Sequence, residues 1–342
     1  MEPVVLAGVE LEMSLAARLR RIGIDTYLLL LAGTVLLATI LPVSGDAAVV
    51  VKAISLWAVA LLFFLYGAKL DTAAVIAGIA NWRLQGLVFL TTYLAFPILG
   101  VVLALALAPW LGSTISTGLL FLAVLPSTVN SSIAFTGMAQ GNVPAAVCAA
   151  SVSNLVGVFL TPLLAALLLH TNGGGGINVS AVGSIAMQIL LPFALGQALH
   201  KWIGAWISRH KSLTLVVDRG AILLIVYSAF SAGMVAGIWQ QVDLGTLAVM
   251  IVADCVLLAA IMLGVLLVAR LTGLSYADRM TLLFCGSTKS LASGVPMASI
   301  LFVGLPVSLI ILPLMLFHQI QLFVCAIIAQ RSANEIALAA AQ

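Results

Sequence analysis

Long apolar stretches separated by short polar segments make up most of the chain. A transmembrane helix needs about 20 mostly apolar residues, and the chain can be divided into ten such stretches. They begin near Tyr27, Val49, Leu84, Thr117, Val143, Val179, Ala221, Leu244, Met280 and Pro306. This pattern predicts an all-α membrane protein with ten transmembrane helices and short connections between them.

The composition excludes a water-soluble domain. Hydrophobic residues make up 63% of the 342 residues and charged residues only 7%, whereas soluble domains carry about 25% charged residues. The net charge of +3 comes without a basic run, so no nucleic-acid partner is expected. The four cysteines lie in apolar stretches without metal-ligand spacing, and packing is their expected role. The expected partners are the lipid bilayer and a small solute, with the protein as a monomer or homodimer.

The positions of the basic residues test the predicted topology, because Lys and Arg collect in cytoplasmic loops. If the N-terminus is cytoplasmic, all but Lys52 and Lys289 of the 14 Lys and Arg residues fall in cytoplasmic segments. No short apolar core precedes Arg18 and Arg20, so no cleavable signal peptide is expected. The prediction is a multi-pass protein of the plasma membrane, the inner membrane of a bacterium, with both termini in the cytoplasm.

A glycine run, Gly173–Gly176, divides the predicted helices into two groups of five. It lacks the Lys-Ser/Thr pair of a phosphate-binding loop and is typical of a linker. Because five is odd, the two halves would insert in opposite orientations, as in inverted-repeat transporters. The predicted organisation is a cytoplasmic segment 1–23, a first repeat 24–170, a linker 171–177, a second repeat 178–331 and a cytoplasmic tail 332–342.

Polar patches interrupt the fourth and ninth predicted helices at corresponding places. In each, Leu-Leu-Phe precedes a patch with Ser-Thr, namely Pro126–Ser132 and Gly286–Ser290. Pro126 removes a helical hydrogen bond, and Gly286 permits unwinding. Backbone groups freed inside a membrane persist only where protein binds them or where they line a cavity. The patches therefore predict that both helices are unwound near the middle of the membrane.

Lys289 lies inside the second patch, where a lysine costs about 2.5–3.5 kcal/mol on insertion scales. Three roles are consistent with this position: attracting an anionic group of a substrate, replacing a coupling cation, or gaining and losing a proton during a cycle. A structural ion pair is a further interpretation, and it is compatible with the others. Its partner would be Asp254, the one acidic residue deep in a predicted helix.

At these patches the sequence resembles the bile acid:sodium symporter family, solute carrier family 10, and within it the sodium-bile-acid-symporter-like branch. The resemblance covers nearly the whole chain. Its most specific segments are Asn130–Thr136, Gly141–Val143, Ser151–Leu155, Leu160–Leu164, Gly286–Ala292 and Gly294–Met297. It implies a five-plus-five inverted repeat in which helices 4 and 9 are unwound and cross. Helices 1, 2, 6 and 7 would form a panel domain, and the others a core domain that moves against it.

The chain also departs from the sodium-coupled members of this family. The resemblance implies a Glu in the ninth helix, where Phe284–Gly286 stands here, and a Gln where Thr288 stands. Ala146 and Ala150 replace the hydroxyl ligands expected on the fifth helix. Lys289 stands where relatives often have Asn, so sodium is only a candidate coupling ion. No other cofactor and no metal are expected.

The candidate site combines the two patches. The residues implied to bind substrate are Thr128, Asn130, Lys289 and Ser290. Those implied to bind an ion, or to stand in for one, are Ser131, Ser132, Ser287, Thr288 and Lys289.

The sequence favours a secondary active transporter of an organic anion. The solute would be bile-acid-like, sterol-like or a small carboxylate, and would be carried by cation-coupled alternating access. A channel, or a regulator of ion flux without its own transport cycle, is the alternative. An enzyme is not expected, because no GxSxG or HExxH motif occurs and His318 is more typical of a core polar contact.

Overall fold

The computed structural model describes residues 26–69, 81–170, 179–237 and 242–340, which contain helices and no strand. The helices are α1 Thr26–Ile40, α2 Gly45–Lys69, α3 Trp82–Leu90, α4 Phe96–Val124, α5 Asn130–Met138, α6 Val143–His170, α7 Val179–Arg209, α8 Lys211–Val235, α9 Leu244–Leu271, α10 Tyr276–Ser287, α11 Leu291–Leu301 and α12 Val307–Ala340. A π-helical turn, Thr91–Ala95, joins α3 to α4.

Several helices have the length and composition of membrane spans. Within the described residues, six helical runs qualify: Gly45–Lys69, Trp82–Val124, Val143–Leu168, Thr214–Val235, Leu244–Leu271 and Val307–Glu335. Large apolar side chains such as Trp57 and Leu244 are exposed on the outside, at 78% and 84%, as lipid contact requires. The predicted all-α membrane class is confirmed.

The run Trp82–Val124 is too long for one crossing. Its 43 residues would extend about 65 Å as a straight helix, against a hydrocarbon core of about 30 Å. Gly112 interrupts the helical conformation with a φ of 69°, a value that glycine adopts without steric cost. The break lies close to Thr117, where the apolar pattern predicts that a new helix begins.

The helices form two sets that pack mostly within themselves. The first set contains α1, α2, α7 and α8, in which α2 packs against α7 and α8 packs against α1 and α2. The second set contains the remaining helices and is built around the contact of α4 with α12. Helices α7 and α8 contact the second set through α6, α11 and α12.

Two glycines allow α2 and α7 to approach closely. A Cβ atom on Gly67 would collide with the carbonyl oxygen of Phe193, and one on Gly196 with that of Phe64. Small residues commonly permit such backbone approach between membrane helices.

Only some of the predicted segment boundaries fall within the described residues. The segment 1–23 and the linker 171–177 lie outside the described residues. At the other end, α12 continues to Ala340, so residues 332–340 extend this helix.

Candidate functional site: two helix breaks and the cavity beside them

Side chains of α6 satisfy the backbone of the first break, which separates α4 from α5. The N–H of Ser127 donates to Ser153 Oγ at 3.0 Å, and Asn154 Nδ2 donates to the Ser127 carbonyl at 2.8 Å. Thr161 Oγ1 donates to the Val124 carbonyl at 2.8 Å. Helix α6 therefore replaces the hydrogen bonds that α4 loses at Pro126, as an interruption inside a membrane requires.

Gln321 of α12 satisfies the backbone of the second break, which separates α10 from α11. Its Oε1 accepts from the Lys289 N–H at 2.7 Å, and its Nε2 donates to the Lys289 carbonyl at 2.8 Å. This side-chain amide pairs with both backbone groups of one residue. His318 Nδ1 lies 3.3 Å from the same carbonyl and 2.8 Å from Gln321 Nε2.

The two breaks touch each other directly. The Ser290 N–H donates to the Pro126 carbonyl at 2.9 Å. The hydroxyls of Ser127 and Thr288 are 3.1 Å apart. The two polar patches of the sequence, 161 residues apart at this contact, thus form one polar centre.

Lys289 is fully buried at this centre, and its ammonium group contacts backbone oxygens. Nζ donates to the carbonyls of Thr92 at 2.9 Å, Ala123 at 2.8 Å and Leu125 at 2.7 Å. The rings of Phe96 and Tyr93 also lie beside Nζ, with centroids 4.1 Å and 6.0 Å away, within the range of a cation–π interaction.

The suggested ion pair between Lys289 and Asp254 does not form. Asp254 is fully buried, yet neither carboxyl oxygen has a hydrogen-bond partner among the described residues. The three carbonyls already take the donors of the ammonium group, so Lys289 is satisfied without an acid.

Beside the breaks lies a cavity of about 670 Å³. Both helix sets line it: α2, α7 and α8 from the first, and α5, α6, α11 and α12 from the second. Much of its wall is apolar, including Phe63, Phe135, Val158, Phe193, Ile222 and Met297. Two basic side chains, Lys69 of α2 and Arg219 of α8, also line it.

The residues implied to bind substrate divide between the cavity and the protein interior. Thr128, Asn130 and Ser290 line the cavity, and so does Ser131 from the ion-binding group. Lys289 is not among the lining residues, because its side chain extends toward α4 instead. The structure therefore gives no support to direct contact between Lys289 and a solute in this cavity.

The remaining hydroxyls expected at an ion site are buried and bonded to backbone. Ser132, Ser287 and Thr288 are all fully buried. Each donates to the carbonyl four residues earlier in the chain, those of Thr128, Leu283 and Phe284 respectively. Within the described residues no group of three or more His, Cys, Asp or Glu could hold a metal ion.

Some residues that line the cavity were outside the sequence-predicted set. They include Lys69, Ser151, Asn154, Arg219, Ser293 and His318. Asn154 and Ser293 are coupled by a hydrogen bond of 2.8 Å from Ser293 Oγ to Asn154 Oδ1. Asn154 and Ser151 belong to a segment that carries the family resemblance, which was a usable signal. Nothing in the sequence distinguishes Lys69 and Arg219 from other basic residues near helix ends.

Helix breaks beside a cavity that two helix sets share are consistent with the arrangement of secondary transporters. The chain belongs to the SBF-like CPA transporter family, whose profile matches residues 25–334. This confirms the resemblance found in the sequence and places the chain among transporters, not enzymes.

Relatives from bacteria and vertebrates agree with this assignment. The chain is 53% identical over 310 residues to "Uncharacterized protein PA2026" of Pseudomonas aeruginosa, covering 91% of this chain and 93% of that one. It is 47% identical over 308 residues to "Putative symporter YfeH" of Escherichia coli, covering 90% and 92%. It is 28% identical over 279 residues to "Sodium/bile acid cotransporter 7" of Xenopus tropicalis, covering 79% and 80%.

Proposed function

We propose that the protein is a secondary active transporter of an amphipathic organic anion, which binds in the cavity between the two helix sets. The observation that carries this proposal is the cavity itself, with its largely apolar wall, its polar helix breaks and its two basic side chains.

The size of the cavity favours a bile-acid-like or sterol-like solute over a small carboxylate. A volume of about 670 Å³ lies within the range of about 300–1,000 Å³ typical of sites for drug-sized ligands. Aromatic and branched aliphatic side chains can cover a rigid apolar body of that size. A small carboxylate would leave most of this apolar surface in contact with water.

The charges around the cavity favour an anion. Lys69 and Arg219 line it, and none of the described lining residues is acidic. Helices α5 and α11 begin at Asn130 and Leu291, and both residues line the cavity. Helix N-termini attract anionic groups. Thr128, Asn130 and Ser290 would contribute hydrogen bonds near these termini.

The proposed topology has ten membrane crossings. The run Trp82–Val124 would cross once before Gly112 and begin a second crossing after it, which α5 completes. Helices α10 and α11 have 12 and 11 residues, so they would form one crossing together. The two interrupted crossings are then the fourth and the ninth, as an inverted repeat of five helices demands. Both termini would be cytoplasmic, in the inner membrane of a bacterium.

In this proposal the helix set α1, α2, α7 and α8 acts as the panel and the other set as the core. Because both sets line the cavity, a movement of one against the other would change its access from one side of the membrane to the other. The whole site lies within one chain, so a monomer would suffice. Lys289 supplies a fixed positive charge to the core, in the place where a coupling cation was expected.

Uptake into proteoliposomes tests this function, with radiolabelled taurocholate as the probe anion. Arg219→Gln and Lys69→Gln should each lower uptake at subsaturating taurocholate by about tenfold or more, because a hydrogen bond to a charged group contributes about 1.5–3 kcal/mol. Lys201→Gln on α7 is the matched control, since Lys201 is exposed and does not line the cavity.

Counterflow separates a carrier from a channel. Liposomes preloaded with unlabelled taurocholate should transiently accumulate the labelled compound, which a channel cannot produce. Equal uptake by wild type and both cavity variants would contradict the proposed site. Uptake without counterflow would contradict a transport cycle.

A further inference from the structure

The contacts of Lys289 define a small cage that is separate from the solute cavity. The cage consists of the carbonyl oxygens of Thr92, Ala123 and Leu125, 2.7–2.9 Å from Nζ, and the face of the Phe96 ring. These distances are those of charge-assisted N–H···O bonds. Every contact that holds the ammonium group is therefore electron-rich and uncharged.

The local sequence explains why these three carbonyls are free to form a cage. In the π-helical turn the Phe96 N–H bonds the Thr91 carbonyl, so it is not available to Thr92. The next residue, Pro97, has no N–H to offer. The Thr92 carbonyl thus lacks both of its usual helical partners. Such π-helical turns are frequently found at functional sites.

The other two carbonyls are released at the end of α4. Ala123 would normally accept from the N–H of Ser127, but that group donates to Ser153 Oγ. Leu125 lies beyond the last residue of α4. Carbonyls at a helix C-terminus carry the negative end of the helix dipole and favour a cation. Three separate features of the chain therefore direct oxygen atoms at one point.

We propose that the Lys289 ammonium is a tethered cation filling a carbonyl cage, and that this cage binds a free monovalent cation, ammonium or sodium, when the lysine side chain is removed. A monovalent ion is expected because the cage contributes no formal negative charge to balance a second positive one. Sodium, which the family resemblance implies as a coupling ion, does not fit at these oxygens while Nζ occupies their centre.

Thermal unfolding of the purified full-length protein measures occupancy of the cage without any solute. Wild type, Lys289→Ala and Lys289→Gly are compared in ammonium, sodium and choline chloride at equal ionic strength, since choline is too large for the cage. At about ten times its dissociation constant, a bound ion should raise the melting temperature of the truncated variants by about 2–4 °C over choline. Wild type should show no such shift.

Lys289→Met is the matched control. Its side chain fills the stem volume with an uncharged end, so neither small cation should stabilise it. Lys289→Ala should show the same rise in melting temperature as Lys289→Gly, and it adds no backbone flexibility.

Two results would overturn the proposal. One is a failure of both truncated variants to respond to ammonium or sodium more than Lys289→Met does. The other is wild type gaining as much stability from these ions as the truncated variants. If the protein is a carrier, the cage would give it a built-in cation at this place, and that consequence rests on the proposed function. The thermal unfolding assay does not rest on it, because it measures cation binding without any solute. A protein that failed to take up taurocholate could therefore still confirm or contradict the cage.

Discussion

At the scale of single residues, the centre of the molecule depends on side chains that replace backbone hydrogen bonds. Gln321 is the clearest case, because it is fully buried and pairs with both the N–H and the carbonyl of Lys289. Asn154 plays a similar role at the first break. These residues hold the breaks in one conformation, which a site for a specific solute needs.

Replacing Gln321 by Leu should therefore destabilise the protein. The substitution leaves two buried backbone groups of Lys289 without their partner, at a cost of about 1–3 kcal/mol each. The expected result is a clear drop in the melting temperature of the detergent-purified protein. Gln319→Leu, two residues earlier on α12, is the control, since Gln319 Oε1 has no partner in the described structure. Equal loss in both variants would show that Gln321 does not hold the break.

At the scale of helices, short contacts decide where the long apolar segments pack. The apolar faces of membrane helices resemble the lipid around them, so hydrophobicity alone does not choose a partner. Close backbone approach does, and α2 and α7 obtain it through Gly67 and Gly196. The cavity depends on this packing, because both helices contribute to its wall.

Gly196→Ala tests that contact. The added methyl group would collide with the Phe64 carbonyl, and overpacking of this kind costs about 1–3 kcal/mol. We expect a lower melting temperature, with α2 and α7 forced apart. Gly220→Ala on α8 serves as the comparison, since its Cβ would meet nothing within 4 Å. A Gly196→Ala protein as stable as wild type would show that the close approach is dispensable.

At the scale of the whole molecule, the breaks create the proposed site and also complicate the topology. Helices α10 and α11 are each too short to cross a bilayer, which needs about 20 residues, and Ser287–Leu291 joins them into one proposed crossing. Two basic residues from the first helix set and the breaks of the second set line one shared cavity. Relative movement of the sets would bring solute, breaks and charges into new positions together.

Cysteine labelling tests the proposed crossing by α10 and α11. Thr272 and Val303 are exposed residues on either side of this pair. In the proposed topology, a membrane-impermeant maleimide should label Val303→Cys from outside intact spheroplasts and Thr272→Cys only in inverted vesicles. The parent protein, with its four free cysteines, gives the background. Labelling of both positions from the same side would rule out a single crossing between them.

The sequence by itself determined the membrane class, the family and the location of the two polar patches. Composition and the length of the apolar stretches are enough to predict a membrane protein, because a chain with 7% charged residues cannot form a soluble surface. Pro126 and the hydroxyl-rich segments were visible because proline and clustered polar residues are costly inside a membrane helix. These properties are local, so they can be found without knowing which helices touch.

Only the tertiary structure decided what Lys289 does and what lines the cavity. The sequence offered Asp254 as the partner of Lys289, but the carbonyls that hold its ammonium lie 164 to 197 residues away in the chain. Their availability depends on a π-helical turn and a helix end that happen to converge. Lys69 and Arg219 likewise become cavity residues only through the packing of α2 and α8. Such convergence arises from long-range packing, which no local pattern of residues encodes.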